Sequence, residues 1–367
     1  MEKNRIYRIY GTEYKAMTKR LLAESRLADI IDDRNLCIGI KPNLVAPSPA
    51  SFGATTHPEI VEGIVEYLHE YGFSNILIAE GSWVGDKTAE SFKYCGYEEL
   101  AKKHNIRLVD TQKDSSHPVD CGDGVILNVC DVVSKIDFLI NVPVLKGHCQ
   151  TRMTCALKNM KGLIPNTEKR RFHTMGLHEP IAYLQRAIHQ DFVVVDHICG
   201  DLDFEEGGNP VVKNCIMTGL DPLLIDAYAC KVLGYTPSDV RYLELAGELG
   251  LGNNDIDSAD IVTVGKGVAD EHEEIHHSVL EVSYAANEVD SCSACYASLT
   301  GALIRLKEEG LLEKLDEKIA IGQGFAGKTG KLGVGRCTGR FDINIPGCPP
   351  GEDDIYEGLK KVIELHF

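Results

Sequence analysis

The apolar positions of this chain alternate between two patterns. Short unbroken apolar runs read as strands buried on both faces: "LCIGIKPNLV" (36–45), "SNILIAEGS" (74–82), "DFLINVPVLK" (137–146), "DFVVVDHI" (191–198) and "ADIVTVG" (259–265). "RLVDTQ" reads as one more. Between them lie stretches with helical spacing. In "HPEIVEGIVEYLHEYG" (57–72), Ile60, Val61, Ile64 and Leu68 share a face and Gly72 closes it. "TAESFKYCGYEELAKKHN" is helical in two pieces, and "TGLDPLLIDAYACKVLGY" and "VRYLELAGELG" carry helical periods. Strands alternating with helices predict an α/β fold: a mostly parallel sheet with helices on both faces.

Near the C-terminus the pattern changes. Glycines and cysteines become frequent, yet "IAIGQG" still reads as a strand end. "YASLTGALIRLKEEG" places Tyr296, Leu299, Leu303 and Leu306 at helical spacing. "DDIYEGLKKVIELHF" does the same with Ile355, Leu359, Val362 and Ile363. This predicts an α/β domain over 1–284 and a cysteine-rich α/β lobe over 285–367, packed on the first. The acidic stretch "ADEHEEIHH" (269–277) is the best boundary signal. A solvated loop is its economical reading, and histidine metal ligands the sharper one.

Composition narrows the function classes. With 44% hydrophobic and 25% charged residues the chain is an ordinary globular protein. Its net charge of −17 leaves no basic surplus for phosphate backbones, so a nucleic-acid partner is not expected. No apolar run has signal-peptide or membrane-span length, so a cytoplasmic protein without a membrane partner is expected. Thirteen cysteines in such a chain point to metal binding, catalysis or burial rather than disulfides. Cys37, Cys130, Cys215 and Cys230 sit in apolar runs and read as small buried hydrophobes.

The last four cysteines read differently. Cys292 and Cys295 form C-x-x-C at the start of a helix, Cys337 lies in the glycine-rich turn "GVGRCTGR", and Cys348 in "INIPGCPPGEDD" just ahead of the last helix. In a parallel sheet such turns gather at the C-terminal edge. Helix N-termini favour the thiolate that metals need. A zinc site usually takes two close cysteine pairs, and only one is present. Four cysteines, two of them in glycine-bordered turns and one followed by proline, fit a [4Fe–4S] cluster with every iron protein-ligated. A structural four-cysteine zinc site and redox-active thiols are the alternatives.

A second segment, "PVLKGHCQTRMTCALKNMKGLIPNTEKRRFHTMGLHEP" (143–180), concentrates positive charge in an acidic protein. It starts at a predicted strand end, a natural place for an anion. Lys146, His148, Lys158, Asn159, Lys161 and Arg171 are its candidate binding residues, and Lys41 and Asn43 line the same rim from the first strand. Glu80 to Ser82 join them, with Asp196 and His197 at a later strand end. His173 and His178 are candidate acid/base residues. The plain alternative is a solvated basic loop with structural histidines. No G-x-G-x-x-G, Walker or G-x-S-x-G motif is present, and "GQGFAGKTG" (322–330) has the wrong spacing for a phosphate loop.

"IKPNLV", "THPEIVEGIVEYL", "DFLINVPVLKGH" and above all "HCQTRMTCALKNMKGLIP" resemble the family catalogued as domain of unknown function 362, over roughly residues 35 to 245. The resemblance implies that fold and an iron–sulfur association, commonly through an added ferredoxin module. It implies no agreed reaction. The chain lacks the C-x-x-C-x-x-C-x-x-x-C-P run of such modules, so a cluster would rest on Cys292, Cys295, Cys337 and Cys348. More distantly, Lys158 followed by His173 is similar to the lactate racemase family, which uses a nickel pincer cofactor.

Three functions follow as expectations. The first is a redox enzyme or electron-transfer protein with one [4Fe–4S] cluster, an anionic small-molecule ligand and a redox partner protein or flavin. The second is a non-enzymatic redox sensor or assembly factor. The third is a metal-pincer isomerase, which needs a second organic or metal cofactor. A dimer is compatible with all three.

Overall fold

The structure is a computed structural model that describes residues 1–267 and 275–365. Residues 269–274 of the acidic boundary stretch therefore lie outside the described residues. The chain forms two compact units. One comprises Met1–Phe172 and Leu177–Ile275, the other His173–Gly176 and His276–Phe367.

In the first unit, β1 (Arg5–Tyr10), β2 (Ile38–Pro42), β3 (Ile76–Glu80) and β4 (Arg107–Asp110) come first in the chain. A separate hairpin follows, β5 (Ser116–Asp120) with β6 (Ile126–Cys130). Next come β7 (Phe138–Val142) and a small antiparallel pair, β8 (Lys146–His148) and β9 (Arg152–Thr154). The long strands β10 (Phe192–Asp201) and β11 (Pro210–Gly219) and the edge strand β12 (Asp260–Thr263) complete the unit. Eight of these strands form one sheet in the order β12-β1-β11-β10-β7-β2-β3-β4. Every neighbouring pair is parallel except the two made by β11.

Every residue of β2, β3 and β7 is buried, as their unbroken apolar runs predict. On one face the helices Tyr14–Glu24 and Pro58–Glu70 bury Leu21, Leu22, Ile60, Val61, Ile64 and Leu68 in a core shared with Ile38, Ile40, Ile78 and Ile140. Each such side chain contributes about 1.5–3 kcal/mol relative to an exposed one. The alternate residues Leu77, Leu139, Val193 and Val195 are equally buried and face the other side. There the helices Ala156–Asn159 and Pro222–Val232 lie against β7, β10 and β11.

One expected helix begins later than its periodicity suggests. Thr218 and Gly219 end β11, and the helix starts only at Pro222. Asp221 stops the strand by capping the helix, accepting from the backbone N–H groups of Leu223 and Leu224 at 2.9 and 3.1 Å. Pro222 fits the first turn, where no donor is needed.

The second unit holds an all-parallel sheet in chain order: β13 (Ala286–Glu288), β14 (Ile319–Ile321), β15 (Leu332–Val334) and β16 (Ile343–Ile345). Its two longest helices, Ser293–Glu308 and Glu352–Leu365, pack together and bury Leu299, Leu303, Leu306, Ile355 and Leu359. The links after β14 and β15 are too short for crossover helices, and each makes only a one-turn 3-10 helix, Gln323–Phe325 and Arg336–Thr338. Successive turns stack, with the Phe325 and Phe341 rings edge to face at 5.8 Å. Among the described residues no helix is long and apolar enough to cross a membrane.

Candidate functional site

In the first unit the chain leaves β2 toward β3 on one side, while β7 pairs with β2 on the other. This reversal of strand order opens a crevice at the strands' C-terminal ends, where open α/β sheets bind ligands. Lys41 of β2 is the register neighbour of Asn141 of β7. Lys41 donates to Glu80 at 2.8 Å, to the Pro42 carbonyl at 2.7 Å and to Asn159 at 3.3 Å. Asn159 in turn donates to the carbonyl of Lys41 and to Asn141, at 3.2 and 2.7 Å. Asn141 reaches the Ala156 carbonyl and Gln190, at 2.9 and 2.6 Å. The network carries "ALKNMKG" across the crevice.

Two further contacts explain that stretch. The buried carboxylate of Asp226 accepts from the backbone of Ala156 and Leu157, at 2.6 and 3.0 Å, and so caps the short helix. Gly162 lies against the Lys41–Glu80 pair. A Cβ there would stand 2.1 Å from Glu80 Oε1 and 2.5 Å from Lys41 Nζ, so only glycine fits.

The remaining lysines divide into two kinds. Lys169 is spent on the carbonyls of Gly81 and Ser82, at 2.8 and 2.7 Å, and is structural. Lys146, buried, donates to the carbonyls of Ala54 and Glu205, both at 2.6 Å, and more weakly to Asn43 at 3.5 Å. Lys158 donates to Thr154 and to the carboxylate of Glu205, at 3.2 and 2.7 Å. Lys161 feels the charges of Lys158 and Glu205 and so faces the same group. His148 Nδ1 accepts from the backbone of Gln150 and Thr151, at 3.1 and 3.2 Å, which leaves the proton on Nε2. Nε2 stands 3.1 Å from Glu205 Oε2 but makes no hydrogen bond among the described residues.

Burial sets the electrostatics. It pulls Lys146 and Lys161 down to about 7, Lys169 to about 8 and His148 to about 4. Burial alone would raise Glu205, but His148 and Lys158 hold its carboxyl well below the usual range. The crevice gathers buried lysines, of which Lys161 has no ion-pair partner among the described residues.

Of the residues expected from sequence, Lys41, Asn43, Lys146, His148, Lys158, Asn159 and Lys161 come together here. Arg171 takes no visible part: its exposed side chain pairs with Glu168 at 2.6 Å and the Ile126 carbonyl at 3.0 Å. His178 stacks on Tyr242, ring centroids 6.1 Å apart. His173 falls in the second unit and Lys158 in the first. Glu205 and Gln190 were not signalled by the sequence pattern.

In the second unit the cysteines sit just past strand ends. Cys292 follows β13 and caps the helix Ser293–Glu308, whose first turn carries Cys295. Cys337 follows β15 and Cys348 follows β16. Gln323 holds the corresponding place after β14 and donates to Cys292 Sγ at 3.7 Å. The turns need glycine: Gly322 and Gly347 have φ of 119° and 145°, and a Cβ on Gly322 would lie 2.0 Å from the Val289 carbonyl. A hydrogen bond from Cys295 lowers Cys292 to about 6 and pushes Cys295 up, and Cys295 also feels Cys348 and Cys337. Burial raises Cys337, which feels Cys292 and Cys348 in addition. Cys295 and Cys337 thus each lie within electrostatic reach of the other three, and all four thiols are at least partly exposed.

Four thiolates on one zinc, at about 2.3 Å, stand roughly 3.8 Å apart. Among the described residues one trio alone brings ligand atoms within 4.8 Å of each other: Glu62, Glu66 and His104. Lys15 already pairs with both of those glutamates, at 3.4 and 2.9 Å. No three of the four cysteines bring their sulfurs within 4.8 Å of one another. Cys37, Cys130, Cys215 and Cys230 are buried, and burial raises their thiols.

A family profile described as "Domain of unknown function (DUF362)" matches residues 38–231. The thylakoid-associated protein sll1697 of Synechocystis sp. is 26% identical over 226 residues, covering 58% of this chain and 67% of that protein. Among solved structures, the lactate racemase apoprotein of Thermoanaerobacterium thermosaccharolyticum aligns with a TM-score of 0.43 and 13% identity. That alignment covers 65% of this chain and 59% of the racemase, less than two thirds of its length.

Proposed function

The chain belongs to the DUF362 family, and from that premise we propose that it is an iron–sulfur redox protein with two working parts. Cys292, Cys295, Cys337 and Cys348 hold one [4Fe–4S] cluster. Lys146, Lys158, Lys161 and His148 bind a small anionic ligand in the crevice of the first unit. When bound, a cluster with four protein ligands supplies one-electron transfer.

The observation that carries the reading is the arrangement of the thiols. They lie past three strand ends and one helix start, close enough to interact. Partial exposure suits exchange of electrons with a partner protein or flavin. Thirteen unpaired cysteines suit a reducing compartment, which supports the cytoplasm as its location.

Anaerobic reconstitution with iron and sulfide tests the first part. A brown protein with a reducible EPR signal, lost on Cys337→Ser, supports it. A protein that stays colourless removes it. Calorimetry with small anions tests the second part, and retained binding after Lys158→Met with Lys161→Met would exclude the crevice as the site.

A further inference from the structure

Glu205 enters the lysine group from a loop outside it. The loop 202–209 joins β10 to β11 and turns through Gly207 and Gly208, with φ of 78° and 129°. Its base is pinned. The Asp201 carboxylate accepts from the backbone of Asp203, Phe204 and Asn209, at 2.9, 2.8 and 2.9 Å. Gly208 donates to the Phe52 carbonyl at 3.0 Å. From that base the tip places one carboxylate oxygen 2.7 Å from Lys158 Nζ and 3.1 Å from His148 Nε2. The carbonyl of the same residue takes Lys146.

The pairing is incomplete. Glu205 is the carboxylate that pairs with Lys158, Asp201 and Glu206 add their charge at Lys146, and Glu80 is committed to Lys41. Among the described residues no ion pair holds Lys161, and His148 Nε2 makes no hydrogen bond. Burial, only partly offset by the charge of Glu205, pulls Lys146 and Lys161 down to about 7.

We propose that Glu205 is an internal stand-in for the ligand, and that a small di- or tricarboxylate displaces it from Lys158 and His148 while also pairing with Lys161. The inference rests on the crevice being an anion site, and it names the chemical class. A carboxylate is the anion this crevice already holds. Phosphate is the weaker fit. The amides at the start of the nearby short helix are taken by Asp226, and among the described residues no arginine hydrogen-bonds to Glu205. The loop swings outward from the Asp201 base when the ligand arrives. Apparent affinity is therefore reduced by the fraction of molecules in which Glu205 occupies the site.

The test is calorimetry on the full chain with citrate and with inorganic phosphate at matched ionic strength. Wild type, Glu205→Gln and the Lys158→Met/Lys161→Met double variant are compared. Citrate should bind Glu205→Gln at least roughly tenfold tighter than wild type, because the competing carboxylate is gone. It should not bind the double variant. Hydrogen exchange on the wild type supplies a second measurement that needs no variant. Citrate should speed exchange in residues 202–209 while slowing it in 143–163. If citrate binds wild type, needs the lysines, and yet is no tighter in Glu205→Gln and leaves the loop amides unchanged, the stand-in fails and the anion site survives. If neither wild type nor Glu205→Gln binds either anion, the anion site itself fails. Tighter phosphate than citrate binding in Glu205→Gln overturns the carboxylate class.

Discussion

In the first unit, the C-terminal ends of β2, β3 and β7 carry Lys41, Glu80 and Asn141, and each is bonded to another buried protein group. In the second unit, the ends of β13, β15 and β16 carry Cys292, Cys337 and Cys348, which stand partly exposed around Cys295. Both places are strand ends of parallel sheets, where ligands collect. They differ in what burial demands. A buried ammonium or carboxylate without a partner costs several kcal/mol, so the chain must complete that network itself. A thiol bonds weakly and can wait at an edge for a metal. The cationic crevice is consequently crowded with protein partners, and under the proposed reading Lys161 and His148, the residues left short of them, mark where a ligand enters.

The largest expected effect breaks one region and spares the other. Cys337→Ser with Cys348→Ser should lower iron after reconstitution from about four per chain to background. The same change should leave the first unit's unfolding within about 0.5 kcal/mol of wild type. Trp83, the only tryptophan, lies in the first unit and reports its unfolding in urea. Retained iron would dissolve the distinction between the two regions.

Next in size is Lys41→Met. It leaves Glu80 buried without its cation and should cost about 3–5 kcal/mol in the same urea measurement. Adding Glu80→Leu should recover most of that loss. An unchanged midpoint would mean that the pair is not part of the framework.

A smaller effect comes from pH. Burial holds Lys146 near 7, whereas in the unfolded chain it titrates near the ordinary lysine value of about 10.4. Between these values the unfolded state binds more protons, so stability rises with pH across the window. The rise from Lys146 is at most about 1.4 kcal/mol per pH unit. Below pH 7 the full cost of burying the charge is present. Urea midpoints from Trp83 between about pH 7 and 9 measure this slope. A falling slope contradicts the assignment. The smallest effect is Arg171→Ala, expected within about 0.5 kcal/mol of wild type and without change in anion affinity by calorimetry.

Much of the first unit was legible because its strands are long and buried on both sides. "DFLINVPVLK" and "NILIAEG" can hardly be read otherwise. The lysines were legible as a charge cluster, but charge alone could not separate Lys169, bonded to carbonyls, from Lys161. Nor could it show that Arg171 points to Glu168. Glu205 was hidden because "DLDFEEGGN" has the composition of a solvated acidic turn, and only the β10–β11 hairpin brings it to the crevice. In the second unit, strands of three residues are too short for periodicity to reveal. Their cysteines and glycines marked where they end, but not that they form a sheet of their own.

The central claim is that the four thiols at the second sheet's edge hold iron and sulfide. Metal and acid-labile sulfide analysis of the anaerobically purified chain tests it most directly. The account predicts about four irons and four sulfides per chain. One zinc per chain with no labile sulfide would contradict it.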